Sequence, residues 1–181
     1  SQIMGIKRYT ANADTTITNA YKANLQTRGT GSNMGLADSL EVFHIYGQES
    51  SSSAENSRVL IDFPVNTTIT TDRSAGTIPA SGSVSWFLRV HNVVHAGTLP
   101  KNYNMTISAI SRSWDEGTGM DMEGYTDSGS CNWTAAASSS GGVTAWTAAG
   151  GDYHASTTGS TAYFDNGTED IEIDISHLVE E

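Results

Sequence analysis

Five carboxylates, Asp115, Glu116, Asp121, Glu123 and Asp127, fall within 13 residues in the stretch SWDEGTGMDMEGYTDSG, from Ser113 to Gly129. Gly117, Gly119 and Gly124 interrupt any regular structure there. Such a run has the chemistry of a calcium loop, since calcium takes about six to eight oxygens from carboxylates and carbonyls, commonly on a glycine-kinked turn. Asp115, Asp121, Glu123 and Asp127 are the candidate ligands. The EF-hand order D-x-[DN]-x-[DN]-G is absent, because the run reads D-E-G-T-G-M-D. A glycosidase would use Glu116 with Asp121 or Glu123 as acid and base, at carboxyl separations of roughly 5 to 9 Å that spacing in sequence does not set. The plain alternative is a hydrogen-bonded, solvated turn.

Aromatic residues follow the acids. Trp114, Tyr125, Trp133, Trp146 and Tyr153 are candidates for a glycan-binding or interface surface, because sugar-binding β-sandwiches stack pyranose rings on exposed Trp or Tyr while Asp, Asn and Arg bond the hydroxyls. The competing expectation is that these rings pin a long loop to the core. Other chemistries lack their signatures. No G-x-S-x-G elbow occurs, and His44, His91, His95, His154 and His177 form no H-E-x-x-H pair. Cys131 is the single cysteine, so no internal disulfide framework exists. It is read as a packed thiol rather than a nucleophile. No catalytic set emerges, and the chain is read as non-enzymatic.

The composition shows what must position these residues. Ser and Thr supply 45 of 181 residues and Gly another 18. Thr, Val, Ile and aromatics suit strands, while Gly, Ser, Asn and Asp suit turns, so the fold class is all-β. Twenty acids against nine bases give a net charge of -11, which repels phosphate backbones and anionic lipid and so argues against nucleic-acid and membrane partners. No 18-residue apolar run is present.

Period-two alternation marks the strands. LEVFHIYG (Leu40 to Gly47) sets Leu40, Val42, His44 and Tyr46 on one face. SRVLIDFPV (Ser57 to Val65) alternates Val59, Ile61 and Phe63 against Leu60 and Asp62. SVSWFLRVHNVV (Ser83 to Val94) places Val84, Trp86, Leu88 and Val90 together. NMTISAIS (Asn104 to Ser111) and DIEIDI (Asp170 to Ile175) repeat the pattern. Two packed sheets would bury both apolar faces. QESSSSAENS and TTDRSAGTIPASG read as loops, and Trp114 to Thr161 as a long irregular region. Ser176 is expected to cap a final helical turn, SHLVEE.

The order of these motifs resembles the DNRLRE-type β-sandwich modules. The stretch from Asp14 to Gly47 is similar to their opening D-T-x-I strand and N-x-G-x-x-x-x-L-x-V segment, through Asn33, Gly35, Leu40 and Val42. SRVLIDF matches their next strand. SWDEGTG supplies Trp114 and Glu116 of a W-x-E ending, NWTAA and AWTAAGGDY supply the tryptophan loop, and IDISHLVEE stops one residue short of a closing tryptophan. LEVFHIYGQ and SWDEGTGMDMEGY look most like the variant in marine tailed phages of the cyanophage kind, where such proteins are virion structural components.

The resemblance implies an antiparallel two-sheet, jelly-roll-like β-sandwich with long loops and a short C-terminal helical turn. Residues 1–181 are expected to form a single domain, the N-terminal part of a longer polypeptide. The expected function is assembly in a virion, as capsid decoration or a neck, tail or fibre component, in symmetric multiple copies with other virion proteins and itself. The alternative is a carbohydrate-binding adhesin module for a host glycan. No cofactor is expected, with calcium the one candidate ion. Trp114 is expected at the sandwich edge, and Glu116 is expected to hold its loop by hydrogen bonds.

Overall fold

A computed structural model describes residues 5–46, 53–120 and 130–180. The chain is all-β: antiparallel strands dominate, and helix is confined to short pieces. It divides into two compact units, the first built from Ser1–Pro64 with Arg112–Asp152 and the second from Val65–Ser111 with Tyr153–Glu181.

In the first unit, β1 (Ala13–Thr18) and β2 (His44–Ile45) flank β3 (Glu55–Asp62) in a three-stranded antiparallel sheet. The β1–β3 register pairs Ala13 with Asp62 and Thr18 with Ser57. Both faces of β1 are covered: Thr15, Thr16, Ile17 and Thr18 are all buried. A buried hydroxyl must find a partner, and these do. Thr18 Oγ1 donates to the Asn56 carbonyl at 2.7 Å, and Thr16 Oγ1 accepts the Glu41 N–H at 3.0 Å. The buried apolar residues of the first unit are Ile17, Ala20, Met34, Leu60, Cys131, Trp133, Ala135, Ala136 and Trp146.

The irregular region after Trp114 contains a hairpin, β6 (Ala135–Ser139) with β7 (Gly142–Ala145), which pair from Ser139–Gly142 to Ala135–Ala145 with one bulge. Its Ala, Ser and Gly residues carry little strand propensity, and pairing and burial of Ala135 and Ala136 place it instead.

The second unit holds two two-stranded antiparallel ladders, β4 (Phe87–Val90) with β9 (Ile171–Asp174) and β5 (Tyr103–Ile107) with β8 (Ser160–Phe164). Along β4 the alternation holds: Leu88 is buried, while Phe87 and Arg89 are exposed. Tyr103 and Phe164, directly paired across β5–β8, stack with ring centroids 4.8 Å apart.

Three expectations are corrected. Among the described residues of the stretch from Leu40 to Gly47, His44 and Ile45 form the ladder with β3 and are exposed, and the Phe43 carbonyl adds a bond from the Ser57 N–H at 3.0 Å; Gly47 and residues 48–52 of the following loop lie outside the described residues. In β3 the most buried apolar side chain is Leu60, opposite the expected Val59–Ile61 face. The loop beginning at Thr70 opens as helix α1 (Thr70–Ser74), entered through a π-helical turn at Val65–Ile69.

A short helix α2 (Ser176–Val179) does close the chain, but Ser176 does not cap it. The Ser176 hydroxyl accepts the Trp86 N–H at 2.8 Å, and Asp174 Oδ1 takes the Ser176 N–H at 2.8 Å. The carboxylate two residues upstream does the satisfying.

Candidate functional site

The described part of the acidic stretch folds as a hydrogen-bonded clamp in the first unit. Asn33 is its centre and is 1% exposed. Its Nδ2 donates to the Glu116 carbonyl at 2.7 Å and to the Cys131 carbonyl at 2.8 Å. Its Oδ1 accepts the Gly119 N–H at 2.8 Å and the Gly35 N–H at 3.2 Å. Two donor hydrogens and two acceptor positions are the full capacity of a primary amide, so the Asn33 side chain is saturated.

The glycines are required by this close approach. A Cβ on Gly119 would lie 1.8 Å from the Asn33 carbonyl oxygen, and one on Gly117 would lie 2.4 Å from Asn33 Oδ1. Gly117 also sits at φ +82°, a region side-chain-bearing residues avoid. The spacing in Asn33–Gly35 and in Glu116–Gly117–Gly119 is thus set by backbone packing.

Glu116 reaches β1. Its Oε1 accepts the Asp14 N–H at 2.8 Å across 102 residues of sequence. Burial first, and then the Glu116 charge, push the Asp14 carboxyl above its usual range. Asp115 is exposed, and its backbone bridges two segments: its N–H donates to the Ala136 carbonyl and its carbonyl accepts from Cys131, both at 3.0 Å. Trp114 is half-buried. Asp121, Glu123, Tyr125 and Asp127 lie outside the described residues. Of the four candidate calcium ligands, then, only Asp115 is placed. Among the described residues no group of three or more His, Cys, Asp or Glu is positioned to hold a metal ion.

Trp133 and Trp146, two of the candidates for a sugar-stacking surface, are core residues. Trp133 is 9% and Trp146 5% exposed. Trp146 Nε1 donates to the Asn132 carbonyl at 2.8 Å. The Trp133 ring meets the Arg58 guanidinium at 5.5 Å and packs so tightly on Gly150 that a Cβ there would be 3.1 Å from the ring. Their faces are occupied within the first unit, so neither is available for stacking on a sugar. Tyr153 is half-exposed and belongs to the second unit, where Tyr153 bridges to Ile110.

Two anchors escaped the sequence reading. Asp152 accepts the Thr147 N–H at 2.9 Å, the Ala148 N–H at 3.0 Å and Arg112 Nη1 at 3.2 Å, closing the loop after β7. The Thr147 N–H above all, together with Ala148 and Arg112, lowers its pKa to about 2. In the second unit Glu180 accepts Arg73 Nη2 at 2.8 Å, Trp86 Nε1 at 2.9 Å and Ser81 Oγ at 2.5 Å. A D or E within a polar loop carries no local sign of such a hub. No family model, curated protein or solved structure matches the chain.

Proposed function

We propose that this protein is a non-enzymatic structural component of a tailed-phage virion, present in multiple copies and working through protein–protein contacts. The observation that carries the reading is the hairpin β6–β7. From Cys131 to Gly151 the sequence has no charged residue, in a chain of net charge -11. Within that neutral stretch all four residues of β7 are exposed, Val143 by 68%, and among the described residues β7 pairs only with β6.

Solitary proteins protect an edge strand with lysine, proline or a covering element. Arg112 Nη1 bonds the Ala145 carbonyl at 2.9 Å, so the uncharged open part of the edge is Gly142 to Thr144; such an edge suits strand addition by another chain, and neutrality lets acidic copies approach without mutual repulsion. The resemblance to virion β-sandwich modules gives the setting: capsid decoration, neck, tail or fibre, with symmetric copies. Glu116 and Trp146 fit this reading as well, since their side chains hold backbone groups of the first unit.

The test is a Val143→Lys variant in assembling particles, scored by mass spectrometry of purified virions. Incorporation should fall at least tenfold, about 1.4 kcal/mol of contact, with an unchanged Tm for the isolated chain. Incorporation at the unsubstituted level, or virions without the polypeptide, would contradict the proposal.

A further inference from the structure

Strands β8 and β9 follow one another in sequence yet belong to different ladders, β8 with β5 and β9 with β4. One end of the pair is tied, by Ser160 Oγ donating to the Asp174 carbonyl at 2.9 Å. Between them lies a slot of about 250 Å³, lined by residues 161–164 of β8 and 170–173 at and along β9. The turn joining the strands is held from outside the slot: Asn92 N–H donates to Asp170 Oδ1 at 2.7 Å, and Asn92 Nδ2 donates to the Gly167 carbonyl at 3.2 Å. A Cβ on Gly167 would strike the Pro100 carbonyl at 2.3 Å, so the turn has no room for a side chain there.

The lining has a definite chemistry. Tyr163 is 57% exposed, and its hydroxyl donates to Asn102 Oδ1 at 2.8 Å, which leaves the phenolic oxygen able to accept. Thr161 offers a hydroxyl that both donates and accepts. Asp170 and Glu172 offer acceptor oxygens, and each already has a partner: Asn92 N–H and His91 Nδ1 lie 2.7 and 3.5 Å from Asp170 Oδ1 and Oδ2, and Arg89 Nε lies 3.2 Å from Glu172 Oε2. A guanidinium has five N–H donors, and the pair with Glu172 uses one of them. Both carboxylates are thus already partnered, so a ligand need not be charged. The lining thus combines a hydroxyl and two carboxylates with an exposed aromatic residue.

We propose that this slot binds one pyranose ring of a neutral glycan. The ring's C–H face would stack on Tyr163, and its hydroxyls, which donate and accept at once, would bond Asp170, Glu172 and Thr161. Ligand pockets commonly run from roughly 300 to 1,000 Å³, and this slot is smaller, which limits the occupant to a single sugar unit. A cationic side chain of a protein partner is the competing occupant. It is disfavoured because both carboxylates already have partners, Asn92 N–H for Asp170 and the Arg89 guanidinium for Glu172. The site is separate from the neutral β7 edge, and the proposal does not depend on the assembly reading.

Amide NMR of the intact chain, titrated with methyl α-glucopyranoside, methyl β-galactopyranoside and methyl α-mannopyranoside to about 50 mM, reaches saturation for a site of roughly 1 mM affinity. At least one glycoside should shift the amides of residues 161–164 and 170–173 saturably. Tyr163→Ala should weaken that binding at least about tenfold, the loss of one stacking contact, while Tyr163→Phe keeps it. Thr161→Trp, which fills the slot and leaves Tyr163 in place, should also abolish binding and so guards against a folding defect in Tyr163→Ala. Silence of these amides toward all three glycosides would overturn the proposal. So would shifts produced by a tetra-arginine peptide alone and lost in Glu172→Gln.

Discussion

Glu116 Oε1 accepts the backbone N–H of Asp14 at 2.8 Å, joining the acidic stretch to the first strand of the sheet. The bond gives this carboxylate a structural task. Removing the acceptor leaves a part-buried N–H unsatisfied, so Glu116→Ala should cost about 1–2 kcal/mol in chemical denaturation. Glu116→Gln retains an acceptor oxygen but loses the charge that strengthens the bond, and should fall between Ala and the unsubstituted chain. A Glu116→Ala variant as stable as the parent would remove the clamp role.

Asp14 lies on the other side of the same relationship. Its folded pKa is raised above the ordinary 3.8, by burial first and the Glu116 charge second. A raised carboxylate pKa means that ionised Asp14 works against folding. That cost is absent at low pH and develops as pH rises through the folded pKa. Asp14→Asn should therefore raise Tm at pH 7, and its advantage should vanish at acid pH below the ordinary value. Parallel melting curves from pH 3 to pH 8 test this; an advantage that grows toward acid would have the wrong sign.

Asn33 is the more demanding position. Asn33→Ala deletes four hydrogen bonds in a residue 1% exposed and strands their backbone partners. A loss of about 3 kcal/mol or more follows. Asn33→Asp should be no better, because a carboxylate would face the Glu116 and Cys131 carbonyls where the amide donates. Gly119→Ala should fail similarly, since its Cβ would overlap the Asn33 carbonyl. Urea denaturation of the three variants checks the set.

Asp152 has the opposite pH signature to Asp14. Its pKa is lowered to about 2, principally by the Thr147 N–H. Its stabilising contribution is complete above the ordinary carboxylate value of 3.8 and disappears as pH falls toward about 2. Asp152→Asn should lower Tm at pH 7, and the two melting temperatures should converge near pH 2. A gap of constant size across that window would exclude the ionised carboxylate as the source.

Cys131 is 0% exposed, and its thiol is pushed up to about 12 by burial first, then by the charges of Asp115 and Glu116. Thiolate is the reactive form. Dithionitrobenzoate should therefore leave the folded chain unlabelled at pH 8 and titrate one thiol after unfolding in guanidinium. Rapid labelling of the native chain would contradict its place in the core.

Alternation was legible where a strand has one wet face. Ile171 and Ile173 are half-buried and Glu172 and Asp174 exposed, as period two requires, and β4 behaves in the same way. It misled at β3, where both faces are partly covered and Leu60 outranks Val59 and Ile61 in burial. It was silent at β6 and β7, whose Ala, Ser and Gly residues have no periodic apolar signal. The acidic stretch was visible as a feature. Its meaning was not, because Glu116 finds its partner 102 residues away and Asn33 joins three chain segments. The tryptophans stand out in the sequence with both readings open, and burial decides for core packing at Trp133 and Trp146.

Cryo-electron microscopy of the particles that carry this chain tests the central proposal most directly. The expected result is multiple copies at symmetric positions on a head, neck, tail or fibre, with the β7 edge, Gly142 to Ala145, buried against a neighbouring chain. Particles without the polypeptide, or copies in which Val143 faces solvent on every protomer, would contradict it.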